Sequence, residues 1–510
     1  MGQTTLNYTR DLIGDDYESG ALFSYKNNPE TVIIRVGISF KSAEQACANA
    51  ETEIGSASFE DVFAQSRALW NEKLSRIELD VANTPLNIVP YPIEFAQIVD
   101  NYIDAYRKNG WVPECRANHL PGWTQGGSSG DVILGHFAMT YHDEAEALGI
   151  NLEELYSAIL ADANDTPPTW DIQGRQAAIY NKYGYVPFAA LDTSSVGRQT
   201  REGSRTLEYA FEDFAILQVA RNYRNVWDAS VKSDGFQGFA QKRFMNGSFA
   251  FSDPTWCSPV DNSSRECSLQ PDNTNGFYES SSWEYSWFAP HDTAHLIELM
   301  GGNDSFVNRL DHFFEAGYYY AGNEPSFQVM IIFEPFHLKL TPKQTPIGYH
   351  YANHPTLSVD RVRDVVFSNF DITPAGLPGN DDQAAMATLL AFHLLGLYPV
   401  PSSSELLVLS PFTPKYTIHN TYLNVSTTVT VNGFDARSVK PTIPKKAAAY
   451  VANVTINGVK TESKCHFDFY DVFKTGGDIV VSVTDDKNAV DDCDGSLPQS
   501  LSTGGFSTVR

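Results

Sequence analysis

The stretch Phe277 to Asp292, FYESSSWEYSWFAPHD, concentrates aromatic and acidic side chains in one short segment. It contains two glutamates, Glu279 and Glu284, and Trp283 stands next to the second of them. Flat rings stack on the faces of sugars, and burial among rings raises the pKa of a carboxyl group, which then acts as an acid near neutral pH. The stretch therefore indicates a site that cleaves sugars. The alternative is the start of a core helix in which the rings only pack.

Two later stretches carry acidic residues in predicted loops. GNEPSF holds Glu324 beside Asn323, and LPGNDD ends on Asp381 and Asp382 just before an apolar helical pattern. An aspartate there is typical of a helix N-cap, but the N-terminus of a helix also keeps a carboxylate ionised, as a general base requires.

These environments predict a division of labour. Glu284 stays protonated and acts as general acid, and Asp382, with Asp381, stays ionised and acts as general base, as glycoside hydrolysis by two carboxyl groups needs. Glu324, Asn323 and a further aspartate offer the hard oxygen atoms of a calcium site.

Hydrophobic periodicity predicts the elements that position these residues. Residues Ala21 to Phe40 alternate like a β-hairpin, and Ser42 to Leu74 form two amphipathic helices, the first capped by Ser42. After Pro399 the period drops to two, which predicts a small antiparallel β-sandwich followed by a disordered tail, SLPQSLSTGGFSTVR. Between these regions helices alternate with long polar loops, as in an (α/α) toroid. The predicted helices are Pro92–Asn109, Asp131–Leu148, Leu152–Asp162, Arg175–Tyr183, Ser204–Arg221, His291–Leu299, Asp304–Phe314, Ser358–Phe370 and Asp382–Leu395.

Composition limits the partners of the 510-residue chain. A net charge of −26 argues against nucleic acid or an anionic membrane as partner, and no apolar run is long enough to span a bilayer. Cys257 with Cys267, and Cys465 with Cys493, form two local pairs that favour disulfides over a metal site. Together with several N-glycosylation sequons they predict a secreted protein, although no signal peptide is visible.

Six motifs, in this order, resemble glycoside hydrolase family 92, the calcium-dependent exo-acting α-mannosidases, and fungal members above all. They are PGWTQGGS, SRTLEYAFEDF, GFAQKRFMNGSF, WEYSWFAPHD with LIELMGG, GNEPSF and LPGNDD. The resemblance runs from about Ala21 to Gly476. It implies a multidomain α+β protein with a remnant of an N-terminal β-sandwich at 1–41, a helical linker at 42–84, an (α/α)6 catalytic toroid at 85–400, a C-terminal antiparallel β-sandwich at 401–495 and a tail at 496–510.

The resemblance also implies an inverting hydrolase that acts on mannose-containing glycans. Glu284 would be the acid, Asp382 with Asp381 would activate water, and a Ca²⁺ ion would be held by Glu324, Asn323 and Asp382. The implied contacts to the sugar come from Trp283, Glu279, His291, Asp292 and Trp123, with Glu279 either sugar-binding or structural. Glutamate rather than glutamine in the WEY motif favours an ordinary glycosidic bond, α-1,2 above others.

Departures from the family pattern are also present. Only the last hairpin of the N-terminal sandwich is recognisable, the short link LDVANTPLNIV replaces an insert with a WDTFR-like motif, and Val329 to Gln344 interrupts the segment after GNEPSF. The helix GHFAMTYHDEAEALGI is altered as well. We therefore expect a truncated chain, the product of a misannotated or degenerate gene, which a transcript reading straight through both junctions would contradict. A catalytically impaired mannose-binding remnant and a trehalase-like toroid enzyme remain the alternative functions.

Overall fold

In the computed structural model the chain divides into two compact units, Met1–Trp70 and Asn71–Arg510. The structure describes residues 30–39, 42–75, 77–79, 92–113, 116–117, 120–121, 126–190, 193, 195–216, 220–262, 275–323, 347–379 and 385–506. The four boundaries predicted between domains are not tested by this division and stay predictions.

The predicted amphipathic helices are α1 (Ala43–Glu53), which lies in the first unit, and α2 (Phe59–Leu74), which begins there and ends four residues past its last residue, Trp70. The side chain of Ser42 accepts a hydrogen bond from the backbone N–H of Gln45 at 3.1 Å, which confirms the predicted cap. The predicted hairpin is not confirmed, because residues 31–39 pair with no strand among the residues described and 21–29 lie outside them. An isolated hairpin is marginal in water, since a third strand or a packed helix is needed to bury its apolar face.

Helices are the main secondary structure described between residues 92 and 395, and neighbouring helices contact one another pairwise, which confirms the α/α architecture. Of the helices that the structure describes, none has the length and apolarity needed to cross a bilayer. The bounds are α3 (Pro92–Asn109), α4 (Ser129–Tyr141), α5 (Leu152–Asn164), α6 (Ala177–Tyr183), α7 (Glu202–Ala215), α8 (Ser282–Tyr285), α9 (Thr293–Leu299), α10 (Asn303–Glu315), α11 (Gly348–Tyr351), α12 (Pro355–Asn369) and α13 (Ala385–Leu395).

One β-hairpin within the helical region was not predicted. Its strands are Trp227–Ser233 and Phe236–Ala240, and its turn residues Asp234 and Gly235 have φ angles of 50° and 84°. Two consecutive positive φ angles suit a two-residue hairpin turn, and Asp-Gly is a strong sequence signal for it. The Asp-Gly turn signal was therefore available in the sequence.

The strands of this hairpin are numbered β4 and β5. They follow β1 (Ile77–Leu79), β2 (Arg116–Ala117) and β3 (Leu120–Pro121), and they precede β6 (Lys242–Arg243) and β7 (Phe249–Ala250).

The C-terminal region forms two packed sheets around one apolar core, as predicted. Its strands are β8 (Leu397–Pro399), β9 (Glu405–Val408), β10 (Lys415–Asn420), β11 (Val425–Asn432), β12 (Tyr450–Ile456), β13 (Val459–Lys460), β14 (His466–Asp468) and β15 (Gly477–Thr484). A six-stranded sheet has the order β1-β10-β11-β15-β12-β13, and a three-stranded sheet has the order β14-β9-β8. The prediction of antiparallel pairing is wrong at one place, because β11 and β15 are parallel. The chain between them is long enough for the crossover that parallel pairing needs.

One of the two predicted local disulfides is confirmed. Cys465 and Cys493 are bonded, with Cα atoms 5.2 Å apart. Cys257 is also disulfide-bonded, and its predicted partner Cys267 lies outside the described residues.

The predicted disordered tail is wrong for residues 496–506, which are folded against the helical region. Residues Leu501–Thr503 form a 3-10 helix, and the ring of Phe506 lies 4.9 Å from that of Phe214 in a perpendicular arrangement. This segment is rich in Ser and Gly, a composition that suggests disorder. It is nevertheless held in place, because the buried carboxylate of Asp292 accepts a hydrogen bond from the backbone N–H of Ser502.

Candidate active site

Glu284 lies on α8, a single helical turn, and its side chain is buried. The hydroxyl of Ser281 caps this turn by accepting a hydrogen bond from the backbone N–H of Glu284 at 3.3 Å. The carboxylate atom Oε2 of Glu284 accepts a short hydrogen bond from the hydroxyl of Ser280 and a second one, at 3.4 Å, from that of Ser281. Two serines therefore hold one oxygen of the predicted acid in a fixed orientation.

Asn323 connects the two glutamates of the WEY stretch. Its amide nitrogen lies 3.5 Å from Oε1 of Glu284 and 3.4 Å from the backbone carbonyl oxygen of Glu279. Glu279 has a φ angle of +44°, in the left-handed region that costs a non-glycine residue about 1–3 kcal/mol. Such strain persists only where surrounding contacts hold it in place. The structure thus brings together three of the predicted site residues, Glu279, Glu284 and Asn323.

Trp283 lies in the core beside this group. Its ring stacks on Tyr318 at 4.5 Å and meets Phe239 edge-on at 4.9 Å, and its indole N–H donates to the hydroxyl of Ser233 at 3.0 Å. The ring is fully buried. These contacts fix the position of α8. A sugar could stack on this ring only by displacing Tyr318 or Phe239.

His291 and Asp292 lie in a second buried group. The imidazole of His291 stacks on Phe214 at 5.4 Å, and burial lowers its pKa to about 4. The Asp292 carboxylate accepts hydrogen bonds from the hydroxyl of Tyr223 at 2.8 Å, from Arg224 at 3.1 Å and from the backbone N–H of Ser502 at 2.7 Å. These contacts anchor the C-terminal segment on the helical region. The predicted role of both residues in shaping the pocket stays a prediction.

Asp292→Ala is expected to destabilise the fold by about 2–4 kcal/mol, because it removes the partners of Tyr223, Ser502 and the half-buried Arg224 together. The melting temperature should fall, and a protease should cut residues 496–506 faster than in the wild type. Asp143→Ala, whose carboxylate is 78% exposed, is the control. Equal cleavage of the C-terminal segment in both variants would contradict the anchoring role.

Four predicted site residues, Trp123, Glu324, Asp381 and Asp382, lie outside the described residues. The predicted calcium site is therefore represented by Asn323 alone, whose carboxamide oxygen is the hard ligand that calcium prefers. Within the described ranges no three His, Cys, Asp or Glu side chains are grouped as a metal site. The one described ligand, Asn323, fits calcium in type.

Sequence reasoning missed several residues that hold the site together. The serines of ESSSWEY were not assigned a role, although three hydroxyls directly before a candidate acid were a visible signal. Glu208 was also missed. It lies on α7 and accepts a hydrogen bond from the hydroxyl of Tyr285 at 2.8 Å.

Four buried carboxyl groups form a second cluster around Arg175. They belong to Asp131, Asp162, Glu212 and Asp213. Arg175 donates to Asp213 at 2.8 Å, to Glu212 at 3.4 Å and to the backbone carbonyl of Asp162 at 3.1 Å. The two carboxyl oxygens of Asp131 make no hydrogen bond with the described part of the chain. One arginine cannot neutralise four carboxylates, so the cluster holds protons at neutral pH.

This cluster predicts that stability decreases as the pH rises. Burial raises the pKa of Glu212 to about 7 and that of Asp162 to about 8, so the folded chain binds protons there that the unfolded chain, with ordinary values near 4, has released. The stabilising contribution is therefore complete below about pH 4. It is lost between pH 4 and the raised pKa values of about 7 and about 8, by about 1.4 kcal/mol per pH unit for each proton.

Melting temperatures measured between pH 5 and 8 test this linkage. Asp162→Asn keeps an oxygen that accepts from the backbone N–H of Val112, a bond of 2.9 Å, but removes one titrating group, so its curve should be flatter than that of the wild type. Asp143→Asn, at an exposed position, is the matched control. Parallel curves for Asp162→Asn and the wild type would contradict the prediction.

Comparison with known proteins gives consistent matches. Residues 45–87, 81–339 and 341–485 match the sequence model of the glycosyl hydrolase family 92 catalytic domain. The first two matched segments overlap at 81–87 and the last two are separated at 340, and both breaks lie within the segments identified above as departures from the family pattern. A curated relative from Arthroderma benhamiae, described as an uncharacterized secreted glycosidase, is 30% identical over 526 residues, which cover 94% of this chain and 64% of the relative. The chain thus spans about two thirds of that relative's length.

Solved structures share the fold. A family GH92 α-mannosidase from Bacteroides thetaiotaomicron, in complex with mannoimidazole, has a TM-score of 0.68 and 19% identity, covering 90% of this chain and 64% of that one. An inverting GH92 mannosidase from the same species has a TM-score of 0.65 and 19% identity, covering 91% of this chain and 68% of its own. Both are mixed helical and β proteins of the architecture described above.

Proposed function

This chain belongs to glycosyl hydrolase family 92, and we propose that it is an inverting, calcium-dependent exo-α-mannosidase that removes terminal α-1,2-linked mannose from N-glycans or mannans. The observation that carries the proposal is the buried carboxyl of Glu284 on a single-turn helix, fastened by two serines and facing Asn323. The structural relative described as an inverting mannosidase supports the stereochemistry, and the relative described as a secreted glycosidase supports an extracellular location.

Glu284 acts as general acid. Its Oε2 atom is held by Ser280 and Ser281, so we place the transferable proton on Oε1, the oxygen near Asn323. The contact with Asn323, at 3.5 Å, is at the outer limit of a hydrogen bond and is easily displaced when a glycosidic oxygen approaches. Protonating that oxygen as the C–O bond breaks lets the leaving sugar depart as a neutral alcohol.

Asp382 acts as general base, assisted by Asp381. By sequence it comes three residues before Ala385, the first described residue of α13. It takes a proton from a water molecule that attacks the anomeric carbon from the face opposite the leaving group, so the product is β-mannose. An inverting arrangement requires that the two carboxyl groups lie roughly 6.5–9.5 Å apart, with the water between base and sugar.

In this proposal Asn323, Glu324 and Asp382 would hold a calcium ion in the same pocket. When bound, the ion would supply a hard cation to coordinate vicinal sugar hydroxyls and favour ring distortion. Glu279, Trp283, His291, Asp292 and Trp123 complete the pocket by binding the sugar or supporting the residues that do.

Hydrolysis of α-1,2-mannobiose by the purified chain, with and without a calcium chelator, tests the proposal. We expect release of mannose, loss of activity on chelation and recovery when calcium is added back. Proton NMR of the first product should show the β-anomer. Initial release of α-mannose would contradict inversion, and activity unaffected by the chelator would contradict the calcium requirement.

The alternative is a mannose-binding remnant without turnover, which the two interruptions in the family match favour. Calorimetric titration of mannobiose, run alongside the activity assay, separates the two. Binding without hydrolysis supports the remnant. Trehalose serves as a further substrate, and its cleavage without mannobiose cleavage would indicate a trehalase-like enzyme.

A further inference from the structure

We propose that Glu208 is a positioning residue of the active site, which fixes through Tyr285 the helical turn that carries Glu284. The inference rests on the proposed role of Glu284 as general acid. It adds a residue that lies 77 positions earlier in the chain than its hydrogen-bond partner and does not itself contact the reacting bond.

Glu208 belongs to α7, a helix whose residues are all buried. A buried carboxylate is costly unless hydrogen bonds compensate for the lost water. Its Oε1 atom accepts from the Tyr285 hydroxyl at 2.8 Å. Burial, together with the charges of Glu208 and Glu279, raises the pKa of Tyr285 well above its usual value, so the hydroxyl stays protonated and remains a donor.

The same carboxylate lies tightly against the loop Gly126–Gly127. A Cβ atom at Gly126 would lie 1.8 Å from Oε1 of Glu208, and one at Gly127 would lie 2.7 Å from Oε2. Only glycine permits this approach. The next residue, Ser128, donates its backbone N–H to Glu212, one helical turn further along α7. Glu208 is therefore enclosed between this loop and Tyr285.

Tyr285 directly follows Glu284 on a helix of only four residues. So short a turn has few backbone hydrogen bonds of its own, so side chains must set its orientation. The ring of Tyr285 packs against Phe277 at 5.6 Å, and its hydroxyl is tied to Glu208. Removing that bond loosens one of the contacts that orient the turn, and a misplacement of about 1 Å at an acid can cost about 100-fold in rate.

Tyr285→Phe and Glu208→Ala are expected to lower kcat for α-1,2-mannobiose by about 10- to 100-fold with little change in KM. For 2,4-dinitrophenyl α-mannoside, whose leaving group needs no proton, the loss should be far smaller. Glu208→Gln keeps an oxygen that accepts from Tyr285 and should retain most of the activity. An equal loss on both substrates would overturn the proposal, because a general structural defect does not distinguish between leaving groups.

Tyr450→Phe is the matched control. It also removes a hydrogen bond from a tyrosine hydroxyl to a carboxylate, here the partly exposed Asp360 at 3.0 Å, on a different pair of elements. We expect its kinetics on both substrates to match those of the wild type. A leaving-group effect in this variant as large as in Tyr285→Phe would overturn the assignment to Glu208.

Amide hydrogen exchange tests the positioning independently of hydrolysis. Tyr285→Phe should speed exchange in residues 281–286 and in 126–128, while the exchange of β10 to β12 stays unchanged. Unchanged exchange in 281–286 would overturn the proposal whether or not the enzyme is active. A wild type that cleaves neither mannoside, but shows the exchange effect, would count against the proposed function alone.

Discussion

Glu284→Gln is expected to lower kcat for α-1,2-mannobiose by about a thousand-fold while leaving the binding of mannobiose and calcium intact. Glutamine preserves the shape of the side chain and an oxygen for the bonds from Ser280 and Ser281, but carries no transferable proton. The loss should therefore appear in kcat rather than in KM.

A substrate that needs no acid is the sharpest check on this result. The same variant should cleave 2,4-dinitrophenyl α-mannoside at a rate within about tenfold of the wild type, because dinitrophenolate leaves unprotonated. Glu298→Gln, at a side chain that is 73% exposed on α9, is the control and should match the wild type on both substrates. Full activity of Glu284→Gln on mannobiose would place the acid elsewhere, with Glu279 as the next candidate.

Asp382→Asn is expected to lower kcat by about a thousand-fold on both substrates. The base activates the attacking water in every turnover, so a better leaving group does not rescue its loss. The two variants should therefore show opposite patterns: substrate-dependent loss for the acid and substrate-independent loss for the base.

Azide distinguishes a lost base from a lost fold in Asp382→Asn. As a nucleophile that needs no deprotonation, azide should restore cleavage of the dinitrophenyl substrate and give β-mannosyl azide. Asp381→Asn, one residue earlier, is the natural comparison, and a larger defect there than at Asp382 would reverse the assignment of the base. An α-configured azide product would contradict inversion.

Much of the architecture followed from local patterns in the sequence. The change from a period of 3.6 to a period of two near Pro399 predicted where helices give way to strands, and α5 and α10 begin within one residue of their predicted starts. Local pairing of cysteines predicted the bond between Cys465 and Cys493. These features depend on neighbours in the chain, so the residue order is enough to infer them.

The candidate site was predictable only in its chemistry. Carboxylates among rings and before an apolar helix indicated an acid and a base, and Glu279, Glu284 and Asn323 do lie together. The partners that orient them were not predictable. In the sequence, nothing distinguishes Glu208 from other charged residues of predicted helices. Only the folded structure shows that the whole of α7 is buried and that Glu208 accepts a hydrogen bond from Tyr285.

By itself, the sequence determined the family, the alternation of helices and the residue types proposed for the chemistry, since each is encoded in short-range order. Only the tertiary structure decided that the segment around Ser502 is anchored on Asp292 and that β1 pairs with β10 across more than 300 residues. The physical reason is that a buried polar group must find a partner wherever the folded chain supplies one, and that partner lies at no characteristic distance in the sequence.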